Sequence, residues 1–153
     1  MVEAVVLDSG ILSTAAQRPG VAEADACRIW ISACLEAGAR VVVPAISNYE
    51  ARRELLRAGK TAGVTRLDAF IQAEQDRYLP LTDAVLLHAA EMWARARQHG
   101  VPTADPRALD IDVILAAQAL SLGLAPTQFV VATTNIRHLS RFVPAALWRE
   151  IRI

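Results

Sequence analysis

The sequence predicts an α/β domain with a central, mainly parallel sheet, and three observations lead there. Short valine-rich runs alternate with longer segments of helical periodicity. Glycine, proline or a single acid punctuates most of the junctions. The 153 residues, 54% apolar and 21% charged, are enough to bury one core without disulfide staples.

Taken in order, Ala4-Val5-Val6-Leu7-Asp8 has the continuous apolar character of a strand buried on both faces, and Ser9-Gly10 suits a strand-to-helix turn. Residues 21–37 form an amphipathic helix carrying Ile29, Trp30, Ala33 and Leu35, stopped by Gly38. Residues 40–44 are a second strand ended by Pro44, and helices over 46–58 and 62–77 follow, separated by Gly59-Lys60-Thr61. Tyr78-Leu79-Pro80-Leu81 is at most an edge strand, because proline has no N–H to give a central ladder. Thr82-Asp83 caps a long helix that Gly100 ends. Residues 101–109 read as a loop with Pro102 and Pro106, and a further helix runs from near Asp110 to Gly123. Residues 128–133 are another strand, followed by a polar turn at Thr134-Asn135, and the tail containing Leu147-Trp148 and residues 151–153 adds a final one. No repeat, low-complexity tract or linker interrupts the chain, so residues 1–153 are expected to form a single domain.

Sixteen acids balance sixteen bases, and net charge therefore selects no partner. The opening MVEAVVLDSG lacks the basic and apolar regions of a signal peptide, and no run approaches the length of a membrane span. Cys27 and Cys34 lie seven apart on the first long helix, roughly 10 Å apart at helical rise and too far for a disulfide. They read as two apolar residues on one face, in a reducing, cytoplasmic compartment.

Chemistry in open α/β sheets collects at the carboxyl ends of the strands. Asp8 closes the first strand, Glu50 lies early on the helix after the second, Asn135 follows the strand at 128–133, and Asp112 stands in the first turn of its helix. A convergent set of carboxylates repels itself unless a divalent cation neutralises it, and oxygen ligands suit Mg²⁺ or Mn²⁺. Each residue has an ordinary reading too. Asp8 serves equally well as a helix cap, Glu50 as a solvated partner for Arg53, Asp110 and Asp112 as acids at a helix N-terminus, and Asn135 as a turn residue. Their joint placement carries the functional reading. Arg52, Arg53, Arg57, Arg137 and Arg141 either form a basic rim for phosphates or pair with surface acids. His88, His99 and His138 show no zinc-site spacing, and no glycine-rich phosphate loop is present.

Four blocks together resemble the PIN-domain family, in particular VapC-type toxins of toxin–antitoxin pairs. They are Val-Val-Leu-Asp8-Ser9, the segment from Val43 to Glu50, the segment from Asp112 to Ala119, and Val131-Ala132-Thr133-Thr134-Asn135 with His138-Leu139. The resemblance covers essentially the whole chain. It implies a PIN-like three-layer α/β/α fold and a hydrolase: a Mg²⁺- or Mn²⁺-dependent endoribonuclease. On that resemblance Asp8, Glu50 and Asp112 are the metal ligands, Asn135 joins them as a catalytic-site residue, and Thr133 or Ser9 supports the carboxylates. It also implies RNA as substrate, a cognate antitoxin protein as partner, and a homodimer. Asn135 replaces an acid at the fourth position, which leaves the number of metals open. Asp110 is a reserve for Asp112: residues two apart on a helix point roughly 200° apart, so both face one ion only if the helix starts between them. The alternative is a catalytically silent PIN-like module that binds RNA or protein. An aspartyl-phosphate phosphatase is disfavoured by Gly10, which stands where its second acid belongs.

Overall fold

A computed structural model describes residues 1–100 and 106–153. Its first half runs β1 (Ala4–Leu7), α1 (Ser9–Ala15), α2 (Ala22–Glu36), β2 (Arg40–Pro44), α3 (Ala45–Arg57), α4 (Thr61–Gln72) and β3 (Tyr78–Leu79). Its second half runs α5 (Asp83–Gln98), α6 (Pro106–Leu120), β4 (Phe129–Ala132), α7 (Ile136–Leu139), β5 (Ala145–Ala146) and a 3₁₀ turn at Trp148–Glu150. The strands form one sheet in the order β3-β2-β1-β4-β5, with every described pairing parallel. The predicted three-layer α/β/α architecture is present.

The continuous apolar runs now have their cause. All four residues of β1 are fully buried, because alternate side chains enter two different cores. Val5 and Leu7, with Val41 and Val43, pack against Ile11, Leu12, Cys27, Leu67 and Trp148 on one face. Ala4, Val6, Val42 and Val131 pack against Val85, Met92, Val113 and Ala116 on the other. Cys27 and Cys34 are both buried and free, as their helical spacing required. Gly38, at φ 89°, ends α2 in the left-handed conformation that favours glycine. Among the described residues no helix is long and apolar enough to cross a membrane.

The register positions the site. Val6 pairs with Val42 and Leu7 with Ala132, so Asp8, Pro44 and Thr133 emerge together at the carboxyl edge. Several boundaries differ from expectation. The seven residues of α1 carry Ser9, Gly10, Ser13 and Thr14, a composition too short and too poor in helix formers to announce itself; burial of Ile11, Leu12 and Ala15 holds it. The helix expected to reach residue 77 stops at Gln72. Val43 draws the Arg77 carbonyl into the sheet at 2.7 Å, while the Arg77 guanidinium donates to Phe70 O at 2.7 Å and lies over its ring.

α6 begins at Pro106 rather than near Asp110, with proline at a helix start where its missing N–H costs nothing. Of the loop expected over 101–109, residues 101–105 lie outside those described, and 106–109 are helical. The final strand is Ala145–Ala146, not the tail. Alanine has little strand preference, and the ladder bonds from Val131 N to Pro144 O and from Thr133 N to Ala146 O decide it. Trp148 instead packs against Trp30, their ring centroids 5.5 Å apart.

Candidate active site

The central strand delivers the first acid. Asp8 caps α1, its Oδ1 accepting from Ser9 N at 2.7 Å, and its Oδ2 accepts from the Thr133 hydroxyl at 2.6 Å. The cap and the site are one arrangement. Thr133 is wholly buried just beyond β4, and its Oγ1 also accepts from Asn135 N at 2.9 Å. A short relay therefore runs from the Asn135 amide through the Thr133 hydroxyl to the Asp8 carboxylate, fixing how Asp8 is turned. Burial raises the Asp8 pKa above its ordinary value; the Thr133 and Ser9 bonds oppose this, and Glu50 adds to it.

α3 delivers Glu50 from the neighbouring strand. Its Oε1 accepts from the Ser9 hydroxyl, and its Oε2 lies 3.5 Å from Arg53. The expected pairing with Arg53 and the approach to the acidic centre thus coexist, one on each oxygen. α3 itself starts without a side-chain cap, because Pro44 stands at the N-cap position. Gln118, seventy-two residues away, supplies the missing acceptor: its Oε1 takes the Ile46 N–H at 3.0 Å and its Nε2 donates to Leu79 O at 2.9 Å.

α6 delivers the third acid. Because the helix starts at Pro106, Asp112 sits in its second turn rather than its first, beyond the strongest part of the helix dipole. It is only 7% exposed, and its Oδ1 accepts from Asn135 Nδ2 at 3.4 Å. Burial and the charges of Asp8 and Glu50 push its pKa up to about 6, against the opposing pull of Arg141 and Asn135. Asp110 faces the other way: it is exposed and lines a groove with Leu86, Ala89 and Trp93. The helix thus separates the two acids, as their spacing requires.

The structure therefore brings Asp8, Glu50, Asp112 and Asn135 to one edge of the sheet and leaves Asp110 outside. Among the described residues no three acid, histidine or cysteine side chains close tightly enough to enclose an ion by themselves. The donor set still suits a hard cation, since three buried or half-buried carboxylates in mutual repulsion offer oxygen only. Mg²⁺ usually binds through one or two carboxylates and keeps several waters.

Of the two readings open for the arginines of α3, the structure favours pairing with acids. Arg52 pairs with Asp68, Arg57 with Glu54 at 2.7 Å, and Arg53 lies between Glu50 and Glu54 with its guanidinium over the Tyr49 ring. Two residues at the site escaped the sequence reading. His138 places Nδ1 3.9 Å from Asp112 Oδ2, in the very block that carries Asn135. Gln118 was visible only as a lone polar residue in the apolar run from Val113 to Ala119.

The family model of the PIN domain matches residues 5–142. The chain belongs to the PIN-domain family. No curated protein matches the sequence. Among solved structures, this PIN domain resembles VapBC2 from Rickettsia felis, bound to a DNA fragment from its promoter. That likeness has a TM-score of 0.68 at 14% identity over 95% of this chain and 98% of that one. FitAcB from Neisseria gonorrhoeae is similar at TM-score 0.66 and 21% identity over 96% and 99%. VapBC-1 from nontypeable Haemophilus influenzae follows at TM-score 0.59 and 18% identity over 96% and 99%. At such identities the likeness is one of fold, and the four acidic-site blocks all fall inside the matched PIN span.

Proposed function

We propose that residues 1–153 act as one divalent-metal-dependent endoribonuclease domain, the toxin of a toxin–antitoxin pair. The observation that carries the nuclease reading is the gathering of Asp8, Glu50 and Asp112 at the carboxyl edge of a PIN-family sheet, close enough that two of them raise the pKa of the third. Asp8 and Asp112 would hold the ion, Mg²⁺ or Mn²⁺, with Glu50 as a further ligand or as the acceptor that orients the attacking water. When bound, the ion supplies Lewis acidity toward the scissile phosphate and acidifies a water. Thr133 holds Asp8 in one orientation, Ser9 does the same for Glu50, and Asn135 steadies Asp112. Arg141 adds positive charge near Asp112 that a phosphate could use.

The toxin reading rests on the resemblance of the motifs to VapC-type proteins, and the similarity to two VapBC structures supports it. The natural partner is then a small antitoxin, and a second copy of the chain completes a homodimer. The free, buried Cys27 and Cys34 suit a reducing cytoplasm.

The test is cleavage of single-stranded RNA with Mn²⁺ or Mg²⁺, with Asp8→Asn and Asp112→Asn as controls. Cleavage that needs the ion and falls at least about a hundredfold in both variants is expected. RNA bound but uncut under every metal condition would instead establish the catalytically silent module. Co-purification with the product of an adjacent short gene, and inhibition by it, tests the toxin assignment separately.

A further inference from the structure

A cleft of about 710 Å³ lies between α5, the end of α6 and the segment after α7, and the chemistry above leaves it unused. Its floor is apolar, with Met92 and Ala96 buried and Phe142 half-buried. Exposed His88, Arg95, His99 and Arg141 stand around it, and none of its described lining residues is acidic. Arg95 has an acid only at 4.0 Å, in Glu91, and both side chains are about two-thirds exposed, so this pair competes weakly with another anion. Nδ1 of His99 lies 2.7 Å from Arg95 O, which commits it as a donor and leaves Nε2 for a ligand.

Arg141 connects the two places. It lines the cleft three residues after His138, whose Nδ1 lies 3.9 Å from Asp112 Oδ2, so the chain segment that walls the cleft is the one that flanks the acidic centre. Cations over an apolar floor with an aromatic ring match the needs of a single nucleic-acid strand, whose phosphates take the charges and whose bases take the floor. The volume lies within the range of sites that hold a nucleotide-sized ligand.

We propose that this cleft seats a nucleotide of the RNA strand next to the scissile phosphate, with Arg95 and His88 on phosphate oxygens and Phe142 and Met92 against a base. The inference rests on the ribonuclease reading for its substrate but is tested by binding alone. The full chain is titrated, in EDTA, into a fluorescein-labelled single-stranded RNA of about twelve nucleotides, and anisotropy gives Kd across a salt series. Arg95→Gln is expected to weaken binding about fivefold and to lower the slope of log K against log salt by about 1, and Arg95→Glu to weaken it at least about tenfold. Arg18→Glu, an exposed charge reversal on the chain segment between α1 and α2, controls for net charge and should move Kd less than about twofold.

Unchanged Kd and slope in both Arg95 variants, or no RNA binding by the unaltered protein, overturns the inference. Cleavage with normal Arg95 variants would leave the nuclease standing and the cleft refuted. Binding that needs Arg95 without any cleavage would keep the cleft and refute the nuclease.

Discussion

Asp112 is destabilised where it stands, and the sign of that cost can be measured. Its carboxyl ordinarily releases a proton at 3.8 and does so in the folded protein at about 6. Between those values the folded chain keeps a proton that the unfolded chain has lost, so metal-free stability falls as pH rises through the window and stays low above it. Asp8, also raised by burial, acts in the same direction. Asp112→Asn should therefore be more stable than the natural protein at pH 7 in EDTA, by about 1–3 kcal/mol, with the difference vanishing below pH 3.8. Urea midpoints across that range check this; natural-protein stability that climbs relative to the variant from pH 4 to 6 would contradict the crowding of carboxylates. Thr133 offsets part of the cost by donating to Asp8, which explains a buried hydroxyl at the end of a strand that is otherwise apolar.

Among elements, the junction of α3, β3 and α6 depends on one amide. Gln118 is wholly buried, and its amide accepts from the Ile46 N–H and donates to the Leu79 carbonyl. Gln118→Leu keeps the apolar bulk and takes from the Ile46 N–H its side-chain acceptor. It should cost about 1–3 kcal/mol, seen as a lower urea midpoint, and it should also reduce RNA cleavage because Glu50 rides on the helix so capped. A variant within about 0.5 kcal/mol of the natural chain would show that water replaces the amide freely. This capping interaction spans seventy-two residues, and no local rule for helix starts could have found it.

For the molecule as a whole, the site and the fold share an energy balance. Two cores grip the sheet from both faces and hold three acids at one edge against their mutual repulsion. An ion that binds only the folded arrangement returns that cost. At a hundred times its dissociation constant Mn²⁺ should stabilise the protein by about 2.7 kcal/mol, read as a raised Tm, and Asp8→Asn should abolish most of the shift. Equal Tm gains in both proteins would place the ion elsewhere.

Local pattern alone was sufficient for the parallel sheet of this PIN domain and for the strand-end place of Asp8, whereas the three layers and the role of Glu50 came with the family resemblance. Valine runs such as Arg40–Pro44 bury both faces and must be internal parallel strands, and parallel strands put Asp8 and the residues after β2 and β4 at one edge. Helix periodicity likewise turned Asp110 and Asp112 to opposite sides before any coordinates were needed. Chain-wide contacts decided the rest. Ser9–Ala15 is helical because its apolar side is buried, Ala145–Ala146 is a strand because β4 supplies partners, and Gln118 caps a helix from another part of the chain. The surroundings of the arginines were also a tertiary matter. Arg52 found Asp68 on another helix, and Arg95 and Arg141 came to line one cleft. The division has one physical cause: burial periodicity is written along a segment, whereas hydrogen-bond partners and the fields of neighbouring charges depend on which segments the sheet brings together.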